Sequence, residues 1–161
     1  MNFNLDEKYL TIQARALELA REIEPMAVEA DASNVVHQGV LEALKASGLS
    51  RLMVAAEYGG TYETIDPLAI CVVREAMMAT SSHLDSLFAL QGIGSYAITV
   101  AGSQQQREQW LPKVAATEAL GALALTEDNS GSDLKSVSTE VKETADGLVL
   151  NGSKAYISNA G

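Results

Sequence analysis

Hydrophobic residues recur at helical spacing through the first part of the chain. The apolar positions of the first segment are separated alternately by four and three residues, at Leu5, Tyr9, Ile12, Ala16, Leu19, Ile23 and Met26. This spacing places them on one face of a helix and leaves the charged residues on the other. Because proline disrupts a helix interior, we expect the helix to bend or restart at Pro25.

Helix start and stop signals mark further helices before residue 117. Asp66 followed by Pro67 is a typical helix start, because the carboxylate caps free N–H groups and proline suits the first turn. Ser103 with Gln106 predicts a capping box, and we expect Pro112 to stop the helix that follows. The predicted helices after the first span residues 36–47, 67–80, 83–101 and 103–112.

After residue 117 the period of the pattern changes. GALALT is a short apolar run, while VSTEVKET and LVLNGSKAYIS alternate between apolar and polar positions. Asp146-Gly147 is a hairpin signal between the two alternating runs. The sequence therefore predicts a mainly α fold, a helical bundle that gives way near residue 120 to the first strands of a second domain, which looks cut short.

Composition and charge narrow the possible partners. The chain has 161 residues, of which 47% are hydrophobic and 20% charged, and its net charge is −10. These values are typical of a globular protein, and the negative charge argues against nucleic-acid binding. The single cysteine, Cys71, excludes an internal disulfide. With no secretory or transit pattern and no apolar run near ~18 residues, we expect a cytoplasmic protein without a membrane segment.

The stretch LTEDNSGSD, residues 125–133, concentrates acids and hydroxyl groups where the pattern changes. It does not match a calcium loop, because the glycine is fourth from Asp128 and the twelfth position is Thr139. Neither a P-loop nor a dinucleotide fingerprint is present, and His37 and His83 lie far apart in the sequence, so no metal site is expected. Composition alone leaves two interpretations open: a solvated turn, or a loop that a ligand approaches closely.

Two ordered motifs resemble the paired signature of the acyl-CoA dehydrogenase family. The first motif is LALTEDNSGSD, residues 123–133, and the second is LVLNGSKAYISNAG, residues 148–161. AAEYGG at residues 55–60 and the approach REQWLPKVAATEALGALALTE are also similar to the family pattern. The resemblance implies a helical N-terminal domain over residues 1–119. It also implies that residues 120–161 begin a β-barrel-like, FAD-binding middle domain that is truncated here.

The resemblance also implies FAD as cofactor and the residues that contact it. Leu125 would contribute backbone contacts, and the Thr126 hydroxyl would bond the pyrimidine side of the flavin. Ser132 would lie near the pyrophosphate and the substrate's pantetheine arm, Tyr156 would pack beside the isoalloxazine, and Ser158 would reach flavin N5. The complete set of expected cofactor contacts is Leu123, Ala124, Leu125, Thr126, Gly131, Ser132, Tyr156, Ile157 and Ser158, with Ser132 also a substrate contact.

The activity implied by the resemblance is α,β-dehydrogenation of an acyl-CoA thioester to a trans-2-enoyl-CoA. No catalytic base is expected in this chain, since the family's glutamate lies beyond residue 161. The resemblance further implies electron-transfer flavoprotein as the electron acceptor and a homotetramer or dimer. The sequence leaves two alternatives open. One is a relative of the flavin monooxygenases or nitroalkane oxidases, and the other is a non-enzymatic helical interaction module.

Some positions depart from the family pattern. Asp128 replaces a common proline, Asn129-Ser130 replace glycine-alanine, and Ala160 replaces a common glycine. Because a carboxylate near cofactor phosphates is unfavourable, we expect Asp128 to point to solvent. The run Gln91-Gly92-Ile93-Gly94 has two glycines within a predicted helix, which favours close packing there over room for an acyl chain.

Overall fold

The computed structural model describes residues 4–160 and is mainly helical. Among these residues it contains six α-helices and one antiparallel hairpin. The elements are α1 Glu7–Ile23, α2 Ala27–Ala32, α3 Gln38–Ser47, α4 Pro67–Met78, α5 Ser82–Ala101, α6 Gln104–Ala115, β1 Glu140–Thr144 and β2 Gly147–Asn151. The fold class predicted from the sequence, helices followed by the first strands of a β-region, is confirmed.

The helices begin and end at the polar and proline signals of the sequence. A 3₁₀ turn at Glu24–Met26 contains Pro25 and joins α1 to α2, as the restart predicts. The Asp66 carboxylate caps α4 by accepting from the main-chain N–H groups of Leu68 at 3.1 Å and Ala69 at 3.3 Å. The capping box at the start of α6 is also present, because Ser103 and Gln106 exchange both of its hydrogen bonds.

The prediction that α6 stops near Pro112 is wrong. The helix continues through Pro112 to Ala115, and the Pro112 carbonyl still accepts from the Ala116 N–H at 3.0 Å. Proline removes one donor, whose helical acceptor would be the carbonyl of Glu108, and Glu108 lies on the exposed side where water can bond that carbonyl. Burial of Leu111 and neighbouring residues on the other side holds the helix together.

The hydrophobic core lies entirely within the helical part. α1 packs against α3 and α4, and α5 packs against α3, α4 and α6. The largest fully buried side chains come from these helices and the turn after α3, among them Phe88, Ile23, Leu44, Leu49 and Met77. Gly48, with φ of 65°, ends α3 in the left-handed conformation that glycine adopts without strain.

The chain after Ala115 contains little regular structure. β1 and β2 pair from Glu140 opposite Asn151 to Thr144 opposite Gly147, and every residue of both strands is exposed. Residues 121–126 and 152–160, whose patterns suggested strands, form none. The reason is that no described strand lies beside them to supply the ladder hydrogen bonds that a strand needs.

Candidate functional site

Helix α5 fixes the start of the first motif. The side chain of Gln91 is fully buried, and its Nε2 donates to the carbonyls of Val114 at 3.2 Å and Ala119 at 2.9 Å. Its Oε1 accepts from the Gly121 N–H at 2.6 Å. A Cβ on Gly94 would lie 2.6 Å from the main-chain nitrogen of Ala122, so the helix is in backbone contact with the residue that directly precedes the motif. The close packing predicted for this glycine-containing run is confirmed.

The two motifs meet through their main chains at Thr126. The Ala155 N–H donates to the Thr126 carbonyl at 2.9 Å, and Lys154 Nζ donates to the Leu125 carbonyl at 3.1 Å. A further hydrogen bond joins the end of the second segment to the start of the first, where Asn159 Nδ2 donates to the Gly121 carbonyl at 3.0 Å. Two segments about thirty positions apart, neither of them regular, are therefore held side by side by hydrogen bonds.

Glu127 is the one acid in the first motif whose side chain is buried. Lys154 contacts its carboxylate at 2.7 Å, and Ser138 and Thr139 donate to it from both main chain and side chain. These hydrogen bonds, first of all the one from Lys154, hold the pKa of Glu127 far below its ordinary value of about 4.5. Asp128 beside it is exposed, as expected from the sequence.

The hydroxyl groups of this region fall into two sets. One set donates to Asp133 or Glu127 and carries local structure: Ser130, Ser136, Ser138 and Thr139. The other set makes no hydrogen bond to any residue that the structure describes: Thr126, Ser132, Ser153, Tyr156 and Ser158. Four of these five, all except Ser153, are the hydroxyl-bearing residues that the sequence predicts as ligand contacts.

Free main-chain donors and exposed apolar side chains accompany these hydroxyls. Within residues 4–160, nothing accepts from the N–H groups of residues 122–126. Leu123 and Leu125 are 41% and 43% exposed, and Tyr156 is 95% exposed with a left-handed φ of 57°, which is uncommon for a bulky residue. Unpaired donors beside apolar surface fit a flat heterocycle with acceptor atoms along one edge, as the isoalloxazine of FAD has.

Four further predicted residues occupy two different places. Ile157 and Ser158 line a cavity of about 770 Å³ with mixed polar and apolar walls, which is otherwise formed by the segment between α2 and α3 and the start of α5. Thr126 and Tyr156 do not line it. Gly131 and Ser132 lie at the exposed tip of the first motif and make no hydrogen bond to the second within the described residues. Gly161, the last residue of the second motif, lies outside the described residues.

A second, apolar cavity of about 350 Å³ lies between α4 and α5. Gly92 and Ile93 line it, so the glycine-containing run borders a cavity as well as packing closely. Arg74 is the charged residue of the lining, and it forms a two-point pair with buried Asp85, at 2.9 Å to Oδ1 and 2.7 Å to Oδ2. Because the cation is already matched, the cavity presents an essentially uncharged surface.

Sequence reasoning missed four residues that build the site. Gln91 and Asn159 both bond Gly121, while Glu127 and Lys154 pair across the two motifs. The pair of Glu127 with Lys154 could have been predicted, because the two residues have opposite charges and lie in motifs expected to be adjacent. Nothing in the sequence marks Gln91 as the buried residue that bonds the chain after α6.

Two family models match the chain. The acyl-CoA dehydrogenase N-terminal domain matches residues 6–118, and the acyl-CoA dehydrogenase middle domain matches residues 122–161. The chain belongs to the acyl-CoA dehydrogenase family. The resemblance seen in the two motifs is thereby confirmed over almost the full length of the sequence.

Relatives and solved structures agree with this membership. A probable acyl-CoA dehydrogenase, fadE25, of Mycobacterium leprae is 34% identical over 160 residues, 99% of this chain and 41% of that protein. An acyl-CoA dehydrogenase complexed with FAD from Bacillus anthracis has a TM-score of 0.85 at 27% identity, covering 97% of this chain and 27% of that one. A chain solved in work on the electron transferring flavoprotein of Acidaminococcus fermentans has a TM-score of 0.88 at 25% identity, covering 98% and 41%.

The chain corresponds to only part of the relatives that it matches. It spans about two fifths of the length of the curated relatives that it matches. No helix within residues 4–160 is both long and apolar enough to cross a membrane. The same residues contain no group of three or more histidines, cysteines or acids arranged to hold a metal ion.

Proposed function

We propose that the protein is a FAD-dependent acyl-CoA dehydrogenase that converts a saturated acyl-CoA thioester to the trans-2-enoyl-CoA. Residues 1–119 are its helical N-terminal domain, and residues 120–161 begin its FAD-binding β-domain. Family membership supports the class of reaction. The observation that carries the proposal is the meeting of the two family motifs at Thr126, beside hydroxyls that bond no described residue.

The residues of the two motifs fit the cofactor chemically. We assign the ring contacts to Leu123, Ala124, Leu125, Thr126, Tyr156, Ile157 and Ser158, and the contacts of the pyrophosphate and pantetheine arm to Gly131 and Ser132. The Thr126 and Ser158 hydroxyls are donors free to bond ring acceptors. Gly131 allows a ligand close to the backbone because it has no Cβ and the space beside it is open. Exposed Leu123, Leu125 and Tyr156 supply apolar surface that a ring would cover.

When bound, FAD supplies the acceptor for the hydride that leaves the β-carbon of the acyl chain. The part played by this chain is to hold and polarise that acceptor. Donors fixed in advance stabilise negative charge that develops on a reduced ring, and here Thr126 is fixed by the bond from Ala155. Tyr156 and the leucines would exclude water from the reacting face. The proton-abstracting group is assigned to no residue of this chain.

The partners follow from the same assignment. An acyl-CoA is the substrate, and an electron-transfer flavoprotein takes the electrons, in keeping with the fold shared with a chain from that system. We propose a homotetramer or dimer located in the cytoplasm. The uncharged cavity between α4 and α5 suits an apolar acyl chain, because it offers no unmatched charge.

Anaerobic titration of the full-length protein with acyl-CoA thioesters tests the proposal. The purified protein is expected to be yellow, and a panel of saturated thioesters of different length should include one that bleaches the flavin absorbance. Free coenzyme A serves as the control, since it lacks the bonds to be oxidised.

The outcomes separate the alternatives. Bleaching by a saturated thioester supports the dehydrogenase. Flavin colour that no thioester bleaches would contradict it in favour of a monooxygenase or nitroalkane oxidase relative. A protein that binds no flavin would contradict all flavin chemistry and leave the helical interaction module.

A further inference from the structure

The Glu127 carboxylate has no capacity left for a ligand. Its Oε1 accepts from Lys154 Nζ at 2.7 Å, from the Thr139 N–H at 2.9 Å and from the Thr139 hydroxyl. Its Oε2 accepts from the Ser138 N–H at 2.7 Å and from the Ser138 hydroxyl. A carboxylate has about four lone-pair sites, so five donors fill it, and its side chain is only 5% exposed. Glu127 therefore acts on other residues of the chain and does not contact a cofactor.

Lys154 bonds the residues on both sides of Thr126. Its ammonium donates to the carbonyl of Leu125 and to the carboxylate of Glu127, the two neighbours of Thr126. The next residue, Ala155, donates its N–H to the Thr126 carbonyl. Three consecutive residues of the first motif are thus bonded to two consecutive residues of the second, and the proposed ring contacts Tyr156, Ile157 and Ser158 follow immediately.

Little else among the described residues fixes the two motifs to each other. Neither motif is paired in a strand at this point, and the nearest further hydrogen bond runs from Asn159 to the carbonyl of Gly121, two residues before the first motif. Ser138 and Thr139, which bond Glu127, lead directly into β1. The ion pair of Glu127 with Lys154 consequently connects both motifs and the hairpin at a single place.

We propose that Glu127 and Lys154 are positioning residues of the cofactor site, which set the Thr126 hydroxyl and residues 156–158 in one fixed arrangement. The inference rests on the proposed FAD-dependent function, because the ligand so positioned is the flavin. Its physical basis is that charge-assisted hydrogen bonds to a buried carboxylate are short and directional, whereas the segments they join have no ladder of their own.

A neighbouring ion pair provides a matched control. Lys142 contacts Glu140 at 2.6 Å, but both side chains are more than half exposed and both residues belong to β1. That pair joins no separate segments. Lys142→Met and Lys154→Met therefore remove the same charge and leave an unbranched apolar side chain of similar length. Only Lys154→Met removes a connection between the motifs.

The test measures cofactor affinity and backbone protection in the full-length protein. Lys154→Met is expected to raise the FAD dissociation constant at least tenfold and to change the shape of the bound-flavin spectrum. In the cofactor-free protein, the Ala155 amide should lose most of its protection from hydrogen exchange. Lys142→Met should leave all three readouts unchanged, and Lys154→Arg, which keeps the cation, should recover part of the affinity.

A milder substitution covers the case in which Lys154→Met does not fold. Thr139→Val removes one hydroxyl donor from Glu127 and keeps the shape, and we expect a two- to fivefold rise in the FAD dissociation constant. Folded Lys154→Met or Thr139→Val protein with wild-type affinity, spectrum and Ala155 protection would overturn the inference. Failure of the wild-type protein to bind FAD would overturn the proposed function instead, so the two results are distinguishable.

Discussion

The helical part and the chain after Ala115 are stabilised in opposite ways. Every buried hydrophobic residue lies between Ile12 and Ala115, whereas the buried residues that follow, Thr117, Glu127 and Ser130, are polar. In the later part large apolar side chains are exposed, including Leu148 at 75% and Tyr156 at 95%. The helices therefore bury their own core, while residues 121–160 keep their shape by hydrogen bonds and present apolar surface outward.

This difference explains where the candidate site lies. A two-stranded hairpin is marginally stable alone, so the later segment depends on contacts with α5 and on polar contacts within itself. Unpaired donors and apolar side chains remain available on it because neither a core nor a ladder uses them. The segment with the least regular secondary structure and no hydrophobic core of its own is thus the segment best equipped to bind a ligand.

The largest effect is expected from a substitution in the helical core. Phe88 is fully buried in α5, so Phe88→Ala should lower the free energy of unfolding by about 3–5 kcal/mol through lost burial and a residual cavity. Urea unfolding followed by circular dichroism measures it. Val28→Ala, at a position 85% exposed, should change the same quantity by less than about 0.5 kcal/mol. Equal losses in the two variants would refute the assignment of the core.

A smaller effect is expected at the junction of the two regions. A Cβ on Gly121 would overlap the carbonyl oxygen of Leu90, so Gly121→Ala must displace the segment from α5 at a cost of about 1–3 kcal/mol. Thermal unfolding gives the magnitude, and hydrogen exchange should rise at the bonded amides of Ala119 and Gly121. In Gly131→Ala the added Cβ would meet nothing within 4 Å, so stability should be unchanged. An unaffected Gly121→Ala protein would show that the segment does not rest on the helix.

The smallest and most local effect is a dependence on pH within the later segment. Because the folded pKa of Glu127 is lowered, ionised Glu127 stabilises the segment above the ordinary value of about 4.5, and this contribution is lost as pH falls through the folded pKa. The amide resonances of Ser138 and Thr139 should therefore hold constant through pH 4.5 and move only in stronger acid. A midpoint at the ordinary value would contradict the hydrogen bonds assigned to Glu127, and Glu127→Gln should abolish the transition.

Much of the helical fold was predictable because its signals are local. The spacing of apolar residues in α1, the capping carboxylate of Asp66 and the capping box at Ser103 act within a turn or two of helix. Pro112 misled because the burial of Leu111 and Val114, a long-range effect, outweighs the loss of one hydrogen bond. The apolar run at residues 121–126 forms no strand for a related reason, since a strand depends on a neighbour that a local pattern does not reveal.

The site was predictable in part. Resemblance to the family supplied the candidate contact residues, and the structure shows that the hydroxyls of Thr126, Tyr156 and Ser158 bond no described residue. Lys154 and Glu127, which hold these contacts in place, were not predicted, because they lie 27 positions apart in the sequence. Their pairing depends on how the chain returns after the hairpin, which a linear pattern does not specify.

The most direct test of the account is hydrogen exchange across the full-length protein during titration with FAD. Residues 123–127 of the first motif and 154–159 of the second should gain protection together and with the same dependence on FAD concentration, while the buried amides of α1 and α4 stay unchanged. If FAD binds and either motif exchanges as it does without the cofactor, the two motifs do not form one flavin site, and the account is wrong.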